Sequence, residues 1–179
     1  MQKIADILLC LVALVLLAYA GTELYWRYRP LPSVPSPSPV TLTEGASPAP
    51  LPTRLVIPTL ALDLPVVPAE VKNGVWPTTR TGVSYLRSSP LPGDVGNTVI
   101  YGHNWASLLG NLKKVKPGEQ LVVYRGAVSY TYTIRFVGIV NPSDTYITES
   151  TPDQRLTLYT CIGFLDRQRL VVTATLDQT

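Results

Sequence analysis

Proline divides this chain. Eight of its 17 prolines fall within residues 30–52, which read PLPSVPSPSPVTLTEGASPAPLP. Proline fixes φ and has no backbone N–H to donate, so it interrupts helices and the interior of sheets. Because the segment also lacks apolar periodicity, we expect an extended, polyproline-like spacer rather than part of a core. A proline-rich ligand for a recognition module is the functional alternative. The composition therefore predicts a globular domain over residues 53–179.

An apolar run precedes the spacer. Residues 7–26, ILLCLVALVLLAYAGTELYW, carry one charge, Glu23. This is about the length that a helix needs to cross a bilayer, and aromatic residues crowd its C-terminal end as in an interfacial belt. A cleavable signal peptide ending at Ala18-Tyr19-Ala20 is the competing interpretation. Length and aromatic residues favour an uncleaved anchor over residues 1–29, with membrane lipid as its partner.

The charges around the apolar run do not determine its orientation. Lys3 precedes it, whereas Arg27 and Arg29 follow it directly. Positive charge normally marks the cytoplasmic side, and here it stands on both sides. If the segment acts as an export signal, the remainder lies outside the cytoplasm. We therefore expect a single-pass protein of the cell membrane with an extracytoplasmic domain.

Composition excludes several function classes. The net charge is +3, and no basic run is long enough to predict nucleic-acid binding. Cys10 lies in the apolar run and Cys161 in the domain, so a disulfide-stapled fold is excluded. One cysteine and one histidine, His103, do not make a zinc site. The carboxylates of residues 144–153 lack a convincing calcium-binding spacing, so we assign no metal or cofactor.

The residue pattern of the domain predicts a series of short strands. In residues 130–136, apolar and polar side chains alternate with the period of two of a half-buried strand. A helical pattern occurs once, in residues 105–115, where leucines share one face. The predicted strands, which are apolar or alternating runs bounded by turn residues, are residues 55–57, 64–67, 98–101, 120–124, 130–140, 156–160 and 170–176. We therefore predict a mainly β fold, a small closed β-barrel of about eight strands with one or two short helices.

Cys161 and His103 each stand at the end of a predicted strand. A thiol at the rim of a barrel can meet a substrate, and an imidazole can hold its proton or stabilise its thiolate near neutral pH. The alternatives are a buried core cysteine and a structural histidine. The pair is the one combination in the domain suited to thiol chemistry, since His103 is the only histidine and Cys161 the only ectodomain cysteine.

Arg169 opens the last predicted strand. Seven residues, 162–168, turn the chain between Cys161 and Arg169, so antiparallel pairing would return the arginine close to the thiol. A fixed cation there can stabilise an oxyanion or orient a carbonyl. The alternatives are a solvated Arg169 and a competing Arg167. We prefer Arg169 because it directly abuts the strand.

Together these segments resemble the sortase family. Residues 157–161, TLYTC, resemble the TLxTC signature, and residues 169–172, RLVV, resemble the start of the last sortase strand. Residues 98–103, TVIYGH, resemble the strand that delivers the family's histidine. Residues 55–58, LVIP, resemble its first strand. The order of His, Cys and Arg along this chain is the order found in the sortase family. The resemblance covers essentially residues 53–179.

The resemblance implies a fold and a mechanism. It implies a sortase-like closed β-barrel in which Cys161 is the nucleophile, His103 the acid and base, and Arg169 the group that holds the substrate carbonyl. Thr160 would line the substrate site. The substrates would be proteins with a C-terminal sorting signal of LPxTG type, cleaved after Thr through a thioacyl enzyme. An amine acceptor on cell-wall precursor or on another protein would resolve that intermediate.

The short turn before Arg169 leaves little room for an elaborate specificity loop, and no second apolar segment occurs near the C-terminus. We therefore expect anchoring of surface proteins rather than pilus assembly. Two other hypotheses stay open. An L,D-transpeptidase would place His and Gly directly before the cysteine, where this chain has Tyr159-Thr160. A non-enzymatic surface β-domain would bury Cys161 as an inert thiol. A papain-like protease is disfavoured because its cysteine precedes its histidine.

Overall fold

A computed structural model describes residues 2–29 and 49–177. The chain divides into two compact units, Met1–Pro30 and Leu31–Thr179, which we describe separately. The predicted proline-rich spacer lies largely in residues 30–48, outside the described residues. Its last residue, Pro52, opens the first strand of the barrel, one residue before the predicted domain boundary.

The N-terminal unit is one helix, α1 (Gln2–Tyr28), longer at both ends than the predicted apolar run. Within it, Ala5–Tyr28 is long and apolar enough to cross a membrane, a property that signal sequences near an N-terminus share. The leucine and valine side chains along it are exposed, from Val12 at 51% to Leu9 at 72%, so this helix buries no apolar face within its own unit.

The second unit is a closed β-barrel, as predicted. Its described strands are β1 (Pro52–Ile57), β2 (Leu62–Ala69), β3 (Val83–Leu86), β4 (Gly96–Gly102), β5 (Gln120–Arg125), β6 (Val128–Val140), β7 (Gln154–Ile162) and β8 (Gln168–Leu176). Around the barrel the order is β1-β2-β3-β4-β7-β8-β6-β5. The β2–β3 and β4–β7 pairs are parallel, and the remaining pairs are antiparallel.

The alternation of β7 divides its side chains between two environments. Leu156, Leu158 and Thr160 are fully buried toward the barrel interior, where they face the even-numbered apolar residues of β8. Tyr159 and Cys161 occupy the outer face and are only partly buried. Because side chains along a strand alternate between faces, the buried apolar set fixes which face carries the thiol.

Three local expectations differ from the structure. Strand β3 was missed, because its residues are buried on both faces and so show no alternation. Phe136 is 50% exposed rather than buried, because a β-bulge between Ile134 and Phe136 shifts the register of β6 against β8. The segment 105–115 is not an α-helix but a series of turns that ends in a 3-10 helix, Leu112–Lys114.

The leucines that indicated a helix in residues 105–115 are nevertheless buried. Leu108, Leu109 and Leu112 are fully buried, and Val115 nearly so. Their spacing reflects one buried side of the segment. The chain instead forms turns that close on Trp105, whose carbonyl accepts the N–H groups of both Leu108 and Gly110.

The connection from β6 to β7, residues 141–153, is tied to the barrel by one buried amide. Asn97 of β4 donates from Nδ2 to the carbonyls of Ile147 (2.9 Å) and Glu149 (3.1 Å). Its Oδ1 accepts the hydroxyl of Thr157 in β7 at 2.7 Å. Asn97 is 2% exposed, so these bonds replace the water that the amide loses on folding. The connection is therefore held at a defined place over the outer face of β4 and β7.

We expect Asn97→Ala to destabilise the barrel by about 1–3 kcal/mol, because the Thr157 hydroxyl loses its acceptor and the connection loses two donors. Chemical denaturation measures the free energy of unfolding. Chymotrypsin cleavage at the exposed Tyr146 reports the freedom of the connection itself. Thr157→Val is the matched control, since it removes one bond to Asn97 and leaves both bonds to the connection. Unchanged cleavage in Asn97→Ala under folding conditions would contradict this account.

Candidate active site

Three neighbouring strands bring the predicted site residues to one edge of the barrel. In the parallel pair, Gly102 of β4 stands beside Thr160 of β7, so the next residues, His103 and Cys161, leave at adjacent positions. Neighbouring strands lie about 4.8 Å apart. In the antiparallel pair, Cys161 stands directly opposite Arg169 of β8. The thiol therefore lies between the histidine-bearing strand and the arginine-bearing strand.

A cavity of about 250 Å³ opens at this edge, on the outer face of β4 and β7. Cys161 and Arg169 line one end of it. The β6–β7 connection supplies a wall that includes Asn141 and Thr148. The cavity is mostly apolar. Its reactive group is the Cys161 thiol, and its charged groups are the Arg169 guanidinium and the Asp144 carboxylate. Such a cleft suits an extended chain segment presented to a nucleophile.

Burial and two opposing charges set the ionisation of Cys161. Desolvation raises the pKa of the thiol, the Arg169 guanidinium lowers it, and the Asp166 carboxylate raises it. Burial is the largest of the three effects, so the pKa lies above the ordinary thiol value. Cys161 is therefore mainly a thiol at neutral pH in the ligand-free protein, and its reactivity depends on neighbours that stabilise the thiolate.

Arg169 is held by the turn that precedes it. Its Nη1 donates to the carbonyls of Asp166 (2.7 Å) and Gln168 (3.1 Å). That turn is tight, with Gly163 at φ 83° and Asp166 at φ 55°, both in the left-handed region. These contacts fix the guanidinium beside Cys161. Arg167, the competing candidate, is exposed and does not line the cavity.

His103 is partly exposed at the same edge, and its ring stacks on the indole of Trp105. The two ring centroids are 4.3 Å apart and the planes differ by 5°. The carbonyl of His103 accepts the N–H of Leu109 at 3.2 Å. The turn after β4 therefore fixes both the backbone of the histidine and the plane of its ring.

Thr160 does not line the cavity. Its side chain is 1% exposed on the inner face of β7, and its hydroxyl donates to the carbonyl of Gly102 at 2.8 Å. This bond ties β7 to β4 immediately before Cys161 and His103. Its position supports a role in holding the two strand ends together, whereas contact between Thr160 and substrate stays a prediction.

Three aromatic residues of the cavity were not predicted. Tyr101 and Tyr159 stack at 5.3 Å, and Trp76 packs edge-on against both, at 5.2 and 5.7 Å. Burial raises the pKa of the Tyr159 phenol, so this residue offers a neutral ring. Tyr101 stands two residues before His103, and Tyr159 stands two residues before Cys161. The period of two along a strand could therefore have placed each tyrosine on the same face as the site residue that follows it. Trp76 follows an Asn73-Gly74 turn, a hairpin signal that went unused.

The comparisons with known proteins agree with this geometry. Residues 55–177 match the family model described as Sortase domain. Sortase A from Corynebacterium diphtheriae, in a lid mutant, is 27% identical with a TM-score of 0.64, over 75% of this chain and 74% of that chain. Sortase C-1 from Actinomyces oris is 27% identical with a TM-score of 0.60, over 71% of this chain and 73% of that one. No curated protein matches the chain.

A sortase D5 transpeptidase from Clostridium perfringens, 18% identical with a TM-score of 0.62 over 71% of this chain and 79% of that one, shares the fold. Sortases are cysteine transpeptidases, and this agrees with the Cys161 thiol at the edge of the closed barrel. The chain belongs to the sortase family, whose members anchor surface proteins. Its matches include sortases of types A, C and D, so they do not assign it to one subclass.

The charges around Cys161 predict opposite effects on its alkylation. Arg169→Gln removes the charge that lowers the pKa of Cys161, so the pH midpoint of iodoacetamide labelling should rise and the rate at pH 7 should fall. Asp166→Asn should move both quantities the other way. Labelling of the Cys10→Ser chain, followed by mass spectrometry across pH, measures this. Shifts of the same sign in both variants would contradict the assigned electrostatics.

Proposed function

We propose that this chain is a membrane-anchored, extracytoplasmic sortase that cleaves an LPxTG-type sorting signal after Thr and transfers the protein to an amine acceptor. The observation that supports the proposal is the strand register, in which Cys161 stands opposite Arg169 and beside the end of β4, one residue before His103. Residues 1–29 would be the anchor, 30–52 the spacer and 53–179 the catalytic barrel.

In the first half-reaction, Cys161 passes its proton to His103, and the resulting thiolate attacks the carbonyl carbon of the substrate Thr. Arg169 stabilises the oxyanion that forms, since a fixed cation is most valuable where charge develops in a water-poor cleft. The imidazolium of His103 donates a proton to the departing glycine nitrogen as the C–N bond breaks. The products are a thioester on Cys161, a neutral imidazole and a released C-terminal fragment.

In the second half-reaction, the acceptor amine attacks the thioester carbonyl. Neutral His103 takes the proton that the amine loses, and Arg169 again faces the oxyanion. The C–S bond breaks and releases the Cys161 thiolate beside a regenerated imidazolium. A new amide joins the substrate protein to the acceptor, which is a group of the cell wall or of another protein.

The aromatic group of Trp76, Tyr101 and Tyr159 supports the LPxTG assignment. Tyr159 stands two residues before Cys161 on the same face of β7, a separation of about 6.6 Å. A substrate lying extended along this strand places its side chain two residues before Thr on these rings. In an LPxTG signal that residue is proline, and aromatic-lined grooves are well suited to bind proline.

Localisation rests on α1 and on the family. Ala5–Tyr28 meets the length and composition of a membrane span, and sortases anchor surface proteins. An export signal that stays attached would hold the barrel outside the cytoplasm by its N-terminus, with lipid as the partner of α1. Protease accessibility of the barrel on intact cells tests this orientation.

The test of the reaction uses the full chain in detergent with LPxTG, LPxTA and LAxTG peptides and triglycine as the amine. We expect the LPxTG peptide to be transferred, with no turnover by Cys161→Ala. His103→Ala should lower kcat by about 10²–10⁴-fold, and Arg169→Ala by about 10²–10³-fold. Peptide transfer is measured by chromatography and mass spectrometry.

Arg167→Ala is the matched control, because it removes an exposed arginine two residues from Arg169. It should retain nearly full activity. Transfer that survives Cys161→Ala would contradict the thiol mechanism. Turnover that depends on Arg167 rather than Arg169 would contradict the arginine assignment. A folded chain in which Cys161 resists every thiol reagent would instead support the non-enzymatic β-domain.

A further inference from the structure

We propose that Trp105 is a positioning residue that fixes the ring of His103 and favours its protonated form. The inference rests on the proposed function only for the acid role of His103. The carrying observation is the face-to-face stack of the imidazole on the indole, with centroids 4.3 Å apart and planes within 5°. In this contact a protonated imidazole lies over the electron-rich face of the indole, within the distance at which aromatic rings attract cations.

The fold holds the indole in place. Trp105 is 9% exposed, and its carbonyl accepts N–H groups from Leu108 at 2.9 Å and Gly110 at 2.8 Å. A side chain at Gly110 would meet the Trp105 carbonyl at 2.7 Å, so the turn passes too close for any other residue there. Two backbone N–H groups of the segment after β4 therefore converge on the carbonyl of this one residue. The turn that stands in place of the predicted helix therefore presents the face of the indole to the His103 ring.

Stacking on indole changes the balance between imidazole and imidazolium. The π face attracts a cation more than a neutral ring, so it stabilises the form that can donate a proton to the leaving amine. It also limits rotation of the imidazole, which keeps the donor nitrogen aimed at the reacting bond. Neither Trp105 nor His103 lines the cavity, but His103 directly follows the end of β4 beside Cys161, so the effect of Trp105 on the reaction passes through His103.

Charged and titratable groups from several other elements share this region. Cys161 stands at the adjacent position of β7, with Arg169 opposite it in β8. Asp166 lies in the turn between those strands. Arg80, from the β2–β3 connection, places its guanidinium carbon 5.8 Å from the centroid of the Trp105 ring. Asp144, from the β6–β7 connection, lines the cavity with Cys161 and Arg169. The two arginines disfavour a further cation at His103 and the two carboxylates favour one, so the indole face acts beside charges of both signs.

The test uses NMR, because His103 is the only histidine and its ring proton signals are unambiguous. The full chain in detergent carries Cys161→Ala, so that titration of the thiol does not couple to that of the imidazole. Trp105→Leu keeps an apolar cover and removes the π face. Trp105→Phe keeps a π face. Phe136→Leu makes the same aromatic-to-leucine change at a half-exposed position on β6 and serves as control.

We expect the His103 titration midpoint to fall by about 0.4–1.5 pH units in Trp105→Leu, by less in Trp105→Phe, and not at all in Phe136→Leu. The His103 ring protons should also move downfield in Trp105→Leu, as the indole ring current is lost. With Cys161 present, kcat should fall by about two- to thirtyfold with KM unchanged, and Trp105→Phe should recover part of it.

A midpoint that stays or rises in folded Trp105→Leu would overturn the proposal. Nuclear Overhauser contacts between the His103 and Trp105 rings, measured in the chain with Trp105 intact, test the stack even if the leucine variant does not fold, and their absence would overturn it too. The NMR measurements do not depend on turnover. An inactive chain with a normal His103–Trp105 stack would contradict the proposed function and leave this inference standing.

Discussion

The parallel pairing of β4 with β7 is the constraint on which the site depends. Its register sets Gly102 beside Thr160, so the chain reaches His103 and Cys161 together. The buried hydrogen bond from the Thr160 hydroxyl to the Gly102 carbonyl joins the two strands at their last paired position. A slip of one residue would turn Cys161 into the barrel and expose Thr160. The apolar interior of β7 therefore determines where the thiol is as firmly as any contact in the cavity.

The other groups at the site are positioned by the connections between strands, around the paired ends of β4 and β7. The turn before β8 returns Arg169 opposite Cys161 and holds its guanidinium on two backbone carbonyls. The β6–β7 connection, tied down by Asn97, forms one wall of the cavity. The β2–β3 connection adds Trp76 near the thiol and Arg80 near Trp105. The barrel fixes the reacting groups, and the connections determine what can reach them.

The sequence predicted those strands and pairings of the barrel for which one physical signal dominates. Alternation in β6, β7 and β8 predicted the strands, and a short turn between Cys161 and Arg169 predicted their pairing, which the register bears out. Periodicity failed where burial is two-sided, as in β3, or where the backbone departs from regular geometry, as at the bulge before Phe136. The catalytic roles of these residues remain proposals.

The helix predicted in residues 105–115 was wrong for a related reason. Buried leucines at helical spacing also arise when a segment of turns covers a core on one side, and spacing alone does not separate the two. Trp76 packs on tyrosines of β4 and β7, so its role depends on tertiary packing that no window of sequence contains. Trp105 stacks on His103 only two residues away, but the turn that brings the two rings face to face leaves no periodic pattern in the sequence.

The central claim is that Cys161 carries the substrate as a thioester. Mass spectrometry of the acid-quenched full chain, incubated with an LPxTG peptide and no acceptor amine, measures this directly. The account predicts an added mass equal to that of the peptide through Thr less one water, located on the fragment that contains Cys161 and removed by triglycine. Cleavage of the peptide with no adduct, or with the adduct on Cys10, would contradict it.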